Sequence, residues 1–321
     1  FPATLAYYLH YPLWRVFFTE LGCKFITSSP TNKSILDEGV KETVTDACVP
    51  IKLFHGHAAA LKNKVDFLFI PRLVNVDHDK HTTFCPKFLG LPDMVKASIP
   101  NLPKIIAPEI NRRVGRHHLL NACKEIGMQL GKPALLVLKA YHKAVAVQKK
   151  FESIMVTHSL SPVEGINYLF NGYKLPERRE ADLNIAVIGY PYQIYDPYIS
   201  GNLISKLEGN GVKPWTTEMV SYAQLEKYAS RLKKRLFWHL SNKVVWACYY
   251  YLDQPHIDGI IHVTAFGCGP DAMVDKLVEL ECKKTHFPFL SLMIDEQTGE
   301  GGIATRLEAF TDMIRLRRSQ Q

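Results

Sequence analysis

Asn184-Ile-Ala-Val-Ile-Gly189 is a short apolar, β-branched run that stops on a glycine, the pattern of a buried strand. A helical pattern follows over Ser200–Gly209, then a second short strand over Gly211–Thr216, then helices across Tyr222–Leu252. Gly259–Thr264 (GIIHVT) and Phe289–Ile294 (FLSLMI) read as two more strands, flanking a helix from Asp271 to Lys283, and a last helix runs from Gly302 to about Arg317. Strands alternating with helices predict a parallel sheet wound by helices.

Upstream, Cys23–Ser28 (CKFITS) reads as a strand after a helix that carries Trp14, Phe17 and Phe18. Val65–Ile70 (VDFLFI) and Lys104–Ala107 (KIIA) are two further strands, ended by Pro71 and Pro108. From Arg116 to about Met155 the pattern is helical, interrupted at Gly131-Lys-Pro133, and the polar segment 174–182 reads as a linker. The expected class is α/β, with two Rossmann-like parallel-sheet domains, 1–180 and 181–321, and a helical connection between them.

A chain of 321 residues is long enough for two cores. Its 47% apolar and 22% charged content is that of a soluble globular protein. No apolar run reaches the length of a spanning helix, and no basic-then-apolar secretory pattern is visible. The chain opens on Phe1-Pro2 without a methionine, so an excised piece of a longer protein is expected. The net charge of +8 suits a phosphate-bearing cofactor or an acidic partner. Its densest basic runs, Arg231–Arg235 and Arg315–Arg318, lack interleaved aromatics, so nucleic acid is not the expected partner, and neither is a membrane. Seven cysteines, an odd number, point to reduced thiols in the cytoplasm rather than a disulfide framework.

Three of the seven have a proline within the next two residues: Cys48-Val-Pro50, Cys85-Pro86 and Cys268-Gly-Pro270. Proline fixes the backbone and removes a donor, so each of these thiols should sit on a rigid turn. Cys268 lies just past the strand Gly259–Thr264, and Cys85 lies in a loop after Val65–Ile70; Cys48 stands ahead of a helix. Ligands of open α/β sheets gather at the carboxyl ends of strands, so a shared site would straddle the cleft between the domains. Gly267 and Gly269 would let the backbone approach a bulky ligand, and Asp271 could cap the next helix. Three thiolates suit an iron–sulfur cluster or zinc with one open position. The competing reading is three buried thiols behind turn prolines.

Other candidates surround these. Of His55-Gly-His57, residues two apart do not share a helix face, so at most one points at a site; His57 is the candidate ligand or acid, and packing is the alternative. Tyr192, Tyr195 and Asp196 follow the strand Asn184–Gly189 and either line a cavity or form a turn with Pro191 and Pro197. Glu296 and Glu300, after the strand Phe289–Ile294, are candidates for acid/base work, or else a solvated loop facing a helix dipole. No G-x-x-x-x-G-K-[ST] and no G-x-G-x-x-G after a strand occurs, so ATP hydrolysis by the chain itself is not expected.

A set of motifs extends over nearly the whole chain. It comprises Tyr11-Pro-Leu-Trp14, Cys48-Val-Pro-Ile-Lys52, His55-Gly-His57, Phe69-Ile-Pro-Arg72 and Phe84-Cys-Pro-Lys-Phe-Leu-Gly-Leu-Pro92 in the first part. Gly189-Tyr-Pro-Tyr192, Tyr195-Asp-Pro-Tyr198, Phe266-Gly-Cys-Gly-Pro-Asp271, Asp295-Glu296 and Thr305-Arg-Leu-Glu-Ala-Phe310 complete it. The set resembles the domain associated with CoA-substrate-specific enzyme activases, a relative of the 2-hydroxyacyl-CoA dehydratase subunits and the double-cubane-cluster proteins. The resemblance implies two Rossmann-like domains holding an iron–sulfur cluster, with Cys48, Cys85 and Cys268 as ligands. It also implies an ATP-dependent activator, separate or fused, that delivers low-potential electrons, an acyl-CoA or other small ligand, and a homodimer. Three motif cysteines fit one 4Fe–4S cluster with an open iron better than a double cubane. The family's usual Arg after the first Pro is absent here, where the chain reads Pro2-Ala3-Thr4. A non-catalytic binding or regulatory domain that docks on an activator, with zinc or no metal at the cysteines, is the alternative function.

Overall fold

The computed structural model describes residues 1–76, 81–175 and 181–320. The chain divides into two compact units, Phe1–Ser153 with Leu236–His239, and Ile154–Arg235 with Leu240–Gln321. Both are α/β with parallel pairing. Residues 176–180 of the expected linker lie outside the described residues.

The first unit contains α1 (Tyr7–Glu20), α2 (Lys33–Lys41), α3 (Val49–Leu61), β1 (Phe67–Phe69), β2 (Arg72–Asn75), α4 (Pro86–Leu89), α5 (Leu91–Ser98), β3 (Lys104–Ile106), β4 (Glu109–Asn111) and α6 (His118–Gln129), and it holds most of α7 (Ala134–His158). Strand β1 pairs with β3 and β2 with β4, both parallel. Pro71 and Pro108 lack N–H groups, which interrupts the ladder on both sides at the same level. Pairing nonetheless carries across the gap, because Ile70 N–H donates to Ile106 and Arg72 N–H to Pro108. The result is one two-stranded ribbon. Helix α1 buries Trp14 and Phe18 against Phe69, with ring centroids 4.7 and 4.9 Å apart. Each such ring adds about 1.5–3 kcal/mol of burial.

No strand forms over 23–28, contrary to the reading of CKFITS. The segment is engaged elsewhere: Cys23 N–H donates to Phe18, the Phe1 amino group donates to Ile26, and Ser28 N–H donates to Phe1. The helical reading of 222–252 also breaks. The carbonyl of Phe237 accepts from Thr83 N–H, and His239 N–H donates to Thr83, so this stretch forms an isolated parallel bridge instead.

Helix α3 carries Cys48 at its N-cap and is buried on nearly every face. Its approach to α2 is backbone against backbone. A Cβ on Gly56 would overlap the carbonyl oxygen of Ile35, and one on Gly39 would overlap that of Lys52. Neither carbonyl can swing away as a side-chain tip would.

The second unit takes in the end of α7 and contains α8 (Pro162–Phe170), β5 (Leu183–Gly189), α9 (Pro191–Ile194), α10 (Leu203–Gly209), β6 (Val212–Thr216), α11 (Tyr222–Glu226), nearly all of α12 (His239–Leu252), β7 (Gly259–Ala265), α13 (Gly269–Lys284), β8 (Phe289–Ile294) and α14 (Glu300–Ser319). Its four strands form one parallel sheet in the order β6-β5-β7-β8. The central strands β5 and β7 are covered on both faces, which is why they read as continuous apolar runs. Among the described residues no helix is long and apolar enough to cross a membrane.

Because α3 can reach α2 only over glycine, Gly56→Ala is expected to lose about 1–3 kcal/mol or more. Urea unfolding of this variant beside Gly209→Ala, where a Cβ meets nothing within 4 Å, checks this. Equal midpoints for the two variants would show that the helices separate without cost.

Candidate functional site

Each of the three proline-flanked cysteines is the N-cap of a helix: Cys48 of α3, Cys85 of α4 and Cys268 of α13. Each helix has a proline at one of its first two positions, where its missing N–H is harmless and its fixed φ is already helical. The backbone of Cys48 (φ −66°, ψ 153°) and that of Cys85 (φ −64°, ψ 156°) are nearly the same. A thiol at such a place faces unpaired amides and the positive end of the helix dipole, which favour an anionic sulfur.

Cys48 and Cys85 come together within the first unit. The Nζ of Lys87, in the first turn of α4, donates to the carbonyl of Asp46 at 2.8 Å, tying that turn to the segment before α3. Burial pushes the Cys85 thiol up, and the nearby Cys48 pushes it further the same way. The backbone amides of Phe88 and Lys87 and the Lys87 charge act against this. Cys48 is buried and Cys85 half-buried. Cys268, also half-buried, belongs to the second unit.

Among the described residues no group of three or more His, Cys, Asp or Glu side chains gathers as a metal site. The Cys48–Cys85 pair fits a soft metal or an iron–sulfur cluster in donor type and in its amide-rich surroundings. As a pair it falls short of a closed set of ligands. Cys123 is an apolar-packed thiol raised to about 12 by burial, and its surroundings lack these features.

His57 is fully buried, with Nδ1 2.7 Å from Ser28 Oγ and Nε2 3.0 Å from Thr31 Oγ1. Ser28 Oγ accepts from Ala3 N–H, so its own hydrogen is available to Nδ1, and Nε2–H then serves Thr31. Burial lowers the His57 pKa to about 4, so the ring is neutral at pH 7 and joins the segment 28–31 to α3. His55 is also buried, and its Nδ1 bonds the Ile51 carbonyl one turn back.

The carboxyl edge of the second unit's sheet holds most of the other candidates. Gly267 has φ 75°, a left-handed turn natural to glycine, and a Cβ on Gly269 would meet open space. Tyr192 is buried beside Tyr190. The Tyr195 hydroxyl lies 2.6 Å from Thr216 Oγ1 and 3.0 Å from Glu218 Oε2. Asp196 accepts from the amides of Tyr198 and Ile199 and so closes its own turn. Glu296 is half-buried in the 295–299 turn. Glu300 is exposed; the Lys206 ammonium and the Asn202 amide bind its Oε1 and hold its carboxyl below the usual range.

Two groups escaped the sequence reading. Asp271 does not cap α13; its Oδ2 accepts from Gln193 Nε2 (2.9 Å) and Ala265 N–H (3.2 Å), clamping the turn that carries Cys268. Its Oδ1 is 3.4 Å from Nε2 of His262, whose Nδ1 is 2.7 Å from Asp275 Oδ1, and Ser291 Oγ donates to the same oxygen. Burial alone would lower the His262 pKa, but the two carboxylates more than offset it and raise it to about 9. The second group is Glu218, a buried acid just past β6 whose pKa burial raises. A lone ionisable residue in an apolar strand (GIIHVT) was the available signal for His262; nothing local marked Glu218.

Residues 1–220 match the family described as CoA enzyme activase uncharacterised domain (DUF2229). Residues 211–314 match 2-hydroxyglutaryl-CoA dehydratase, D-component. No curated protein matches the chain.

Because the His262 pKa is raised above its unfolded value, its contribution to stability is complete below about pH 6.5 and is lost as pH rises through about 9. Urea midpoints of the wild type are therefore expected to fall across that window. His262→Ala should cost about 3–5 kcal/mol at neutral pH, because it strands two acids, and should flatten the slope. An unchanged slope in this variant would remove His262 as its cause.

Proposed function

The chain belongs to the CoA enzyme activase domain family, and on that premise we propose that it is an iron–sulfur protein of the 2-hydroxyacyl-CoA dehydratase superfamily, reduced by an ATP-dependent activator. Cys48, Cys85 and Cys268 would hold a 4Fe–4S cluster as three thiolates. When bound, such a cluster supplies low-potential one-electron chemistry and one exchangeable position, for electron transfer or for dehydratase-type or reductive chemistry on a small or acyl-CoA ligand. The observation that carries the reading is the pairing of Cys48 and Cys85 at two proline-started helix ends.

The chain's own residues have defined work on this reading. The helix starts favour ionised sulfur, and Lys87 joins the two cysteine turns and adds a positive charge. Gly267 supplies the left-handed turn before Cys268, Gly269 leaves open space after it, and Asp271 fixes the turn. Tyr192 and Tyr195 would line the ligand side. Glu296 and Glu300 would stand at its rim as carboxylates, while His57 ties the Cys48 helix to Ser28 and Thr31. A homodimer in a reducing cytoplasm belongs to the same proposal.

A second reading is a binding or regulatory domain that docks on an activator, with zinc or no metal. What favours it is that, among the described residues, no group of three or more His, Cys, Asp or Glu side chains gathers as a metal site.

Anaerobic purification with iron and acid-labile sulfide assays decides between the two. The expected result is about four irons per chain and a brown chromophore, lost in Cys48→Ala, Cys85→Ala and Cys268→Ala and kept in Cys123→Ala. Colourless, iron-free protein from anaerobic cells would favour the second reading.

A further inference from the structure

The sheet of the second unit has two outer strands, β6 and β8, and their free sides differ. Asp182 N–H donates to the Gly211 carbonyl, so along β6 the odd-numbered residues face β5 and the even-numbered ones point outward. Pro214 falls on that outer side and has no N–H to offer. The Thr216 carbonyl, on the same side, already accepts from Tyr251 Oη at 2.7 Å. This edge is closed to a further strand.

β8 is open. Ile260 N–H donates to the Pro288 carbonyl and Phe266 N–H to that of Ile294, so even-numbered residues serve β7. The N–H and C=O groups of Phe289, Ser291 and Met293 therefore point away from it. Among the described residues no backbone hydrogen bond reaches that side. The strand, FLSLMI, holds no charge, no proline and no bulge, the usual means of keeping an exposed edge unpaired. The Ser291 hydroxyl donates to Asp275, so the odd-numbered side chains share the face of the sheet that carries α13. On that face Met293 is 51% exposed, and Met273 and Leu280, two turns apart on α13, are exposed as well.

We propose that β8 is the contact surface for a second copy of this chain, each β8 pairing antiparallel with the other about a two-fold axis at Ser291. Ser291 then faces its own counterpart, Phe289 faces the other copy's Met293, and about six backbone hydrogen bonds form. The two four-stranded sheets become one. Met293 packs against the other copy's Phe289, and Met273 and Leu280 of the two α13 helices line the same seam. Charge selects both the occupant and the sense of pairing. Lys283 and Lys284 stand before β8, and Asp295 and Glu296 stand after it. Antiparallel pairing sets the basic entrance of each copy against the acidic exit of the other, whereas a parallel pair would set like against like. Lys283 also pairs with Glu279 and Lys284 with Glu281, but these are exposed surface contacts of small worth. The inference gives a surface to the homodimer of the function proposed above and rests on it to that extent; it does not need the cluster.

Sedimentation of the full chain tests this, with iron measured on the same samples. The wild type should sediment as a dimer at micromolar concentration and Met293→Lys at half that mass. Ser291→Cys gives a second reading that does not depend on Met293→Lys folding. Facing residues of such a pair have Cα atoms about 5.5 Å apart, within disulfide range. Oxidised glutathione should therefore link Ser291→Cys into a covalent dimer and leave Lys213→Cys, on the closed edge β6, as single chains. A wild type that sediments as a monomer would overturn the proposal. So would a dimer that Met293→Lys leaves intact and in which Ser291→Cys does not link. An iron-free protein that still dimerises through β8 supports the surface and counts only against the cluster; an iron-replete monomer does the reverse.

Discussion

In a parallel sheet every strand ends on the same edge, and the helix that follows each strand begins there. Strand carboxyl ends and helix amino ends, with their unpaired amides, are thereby brought to one place. The second unit shows the consequence. The Tyr190–Asp196 turn follows β5, Glu218 follows β6, the Cys268 turn follows β7 and the acidic turn at Asp295 follows β8. The first unit has only a two-stranded ribbon, but Cys85 follows β2 and opens a helix in the same manner. Thiols set at such points meet positive potential without a cation having to be buried beside them.

That edge carries an unusual load of buried polarity. Gln193, Asp271 and His262 are fully buried there, and Asp275 and Ser291 extend the chain of contacts. A charged imidazole between two acids is rarely the most stable filling for a core, because apolar packing of similar volume often does as well. What the arrangement fixes is position. Asp271 joins β7, α9 and the start of α13 through two hydrogen bonds, so the turn bearing Cys268 has little freedom. Rigid placement of a half-buried thiol is what a ligand to a metal group requires.

Much of this was legible from local pattern. The strands β5, β7 and β8 were readable because strands covered on both faces are continuously apolar, and Pro71 and Pro108 marked real interruptions. The adjacency of Cys and Pro correctly placed Cys48, Cys85 and Cys268 on fixed turns, although the N-cap geometry common to all three was not foreseen. Cys23–Ser28 has strand composition but makes no strand, because its hydrogen bonds are taken by Phe1 and by the end of α1, contacts no local window contains. His262 and Asp275 lie 13 residues apart and Tyr195 and Glu218 lie 23 apart, so their pairing depends on the sheet having formed.

The central claim is that the three proline-flanked thiols are occupied together. Alkylation of the anaerobic native protein, followed by peptide mass analysis, tests this most directly. The account predicts that Cys48, Cys85 and Cys268 resist the reagent together and become reactive together after iron chelation, while Cys23, half-buried and without a helix N-cap role, is labelled in both states. Labelling of Cys48, Cys85 and Cys268 at independent rates that chelation does not change would contradict it.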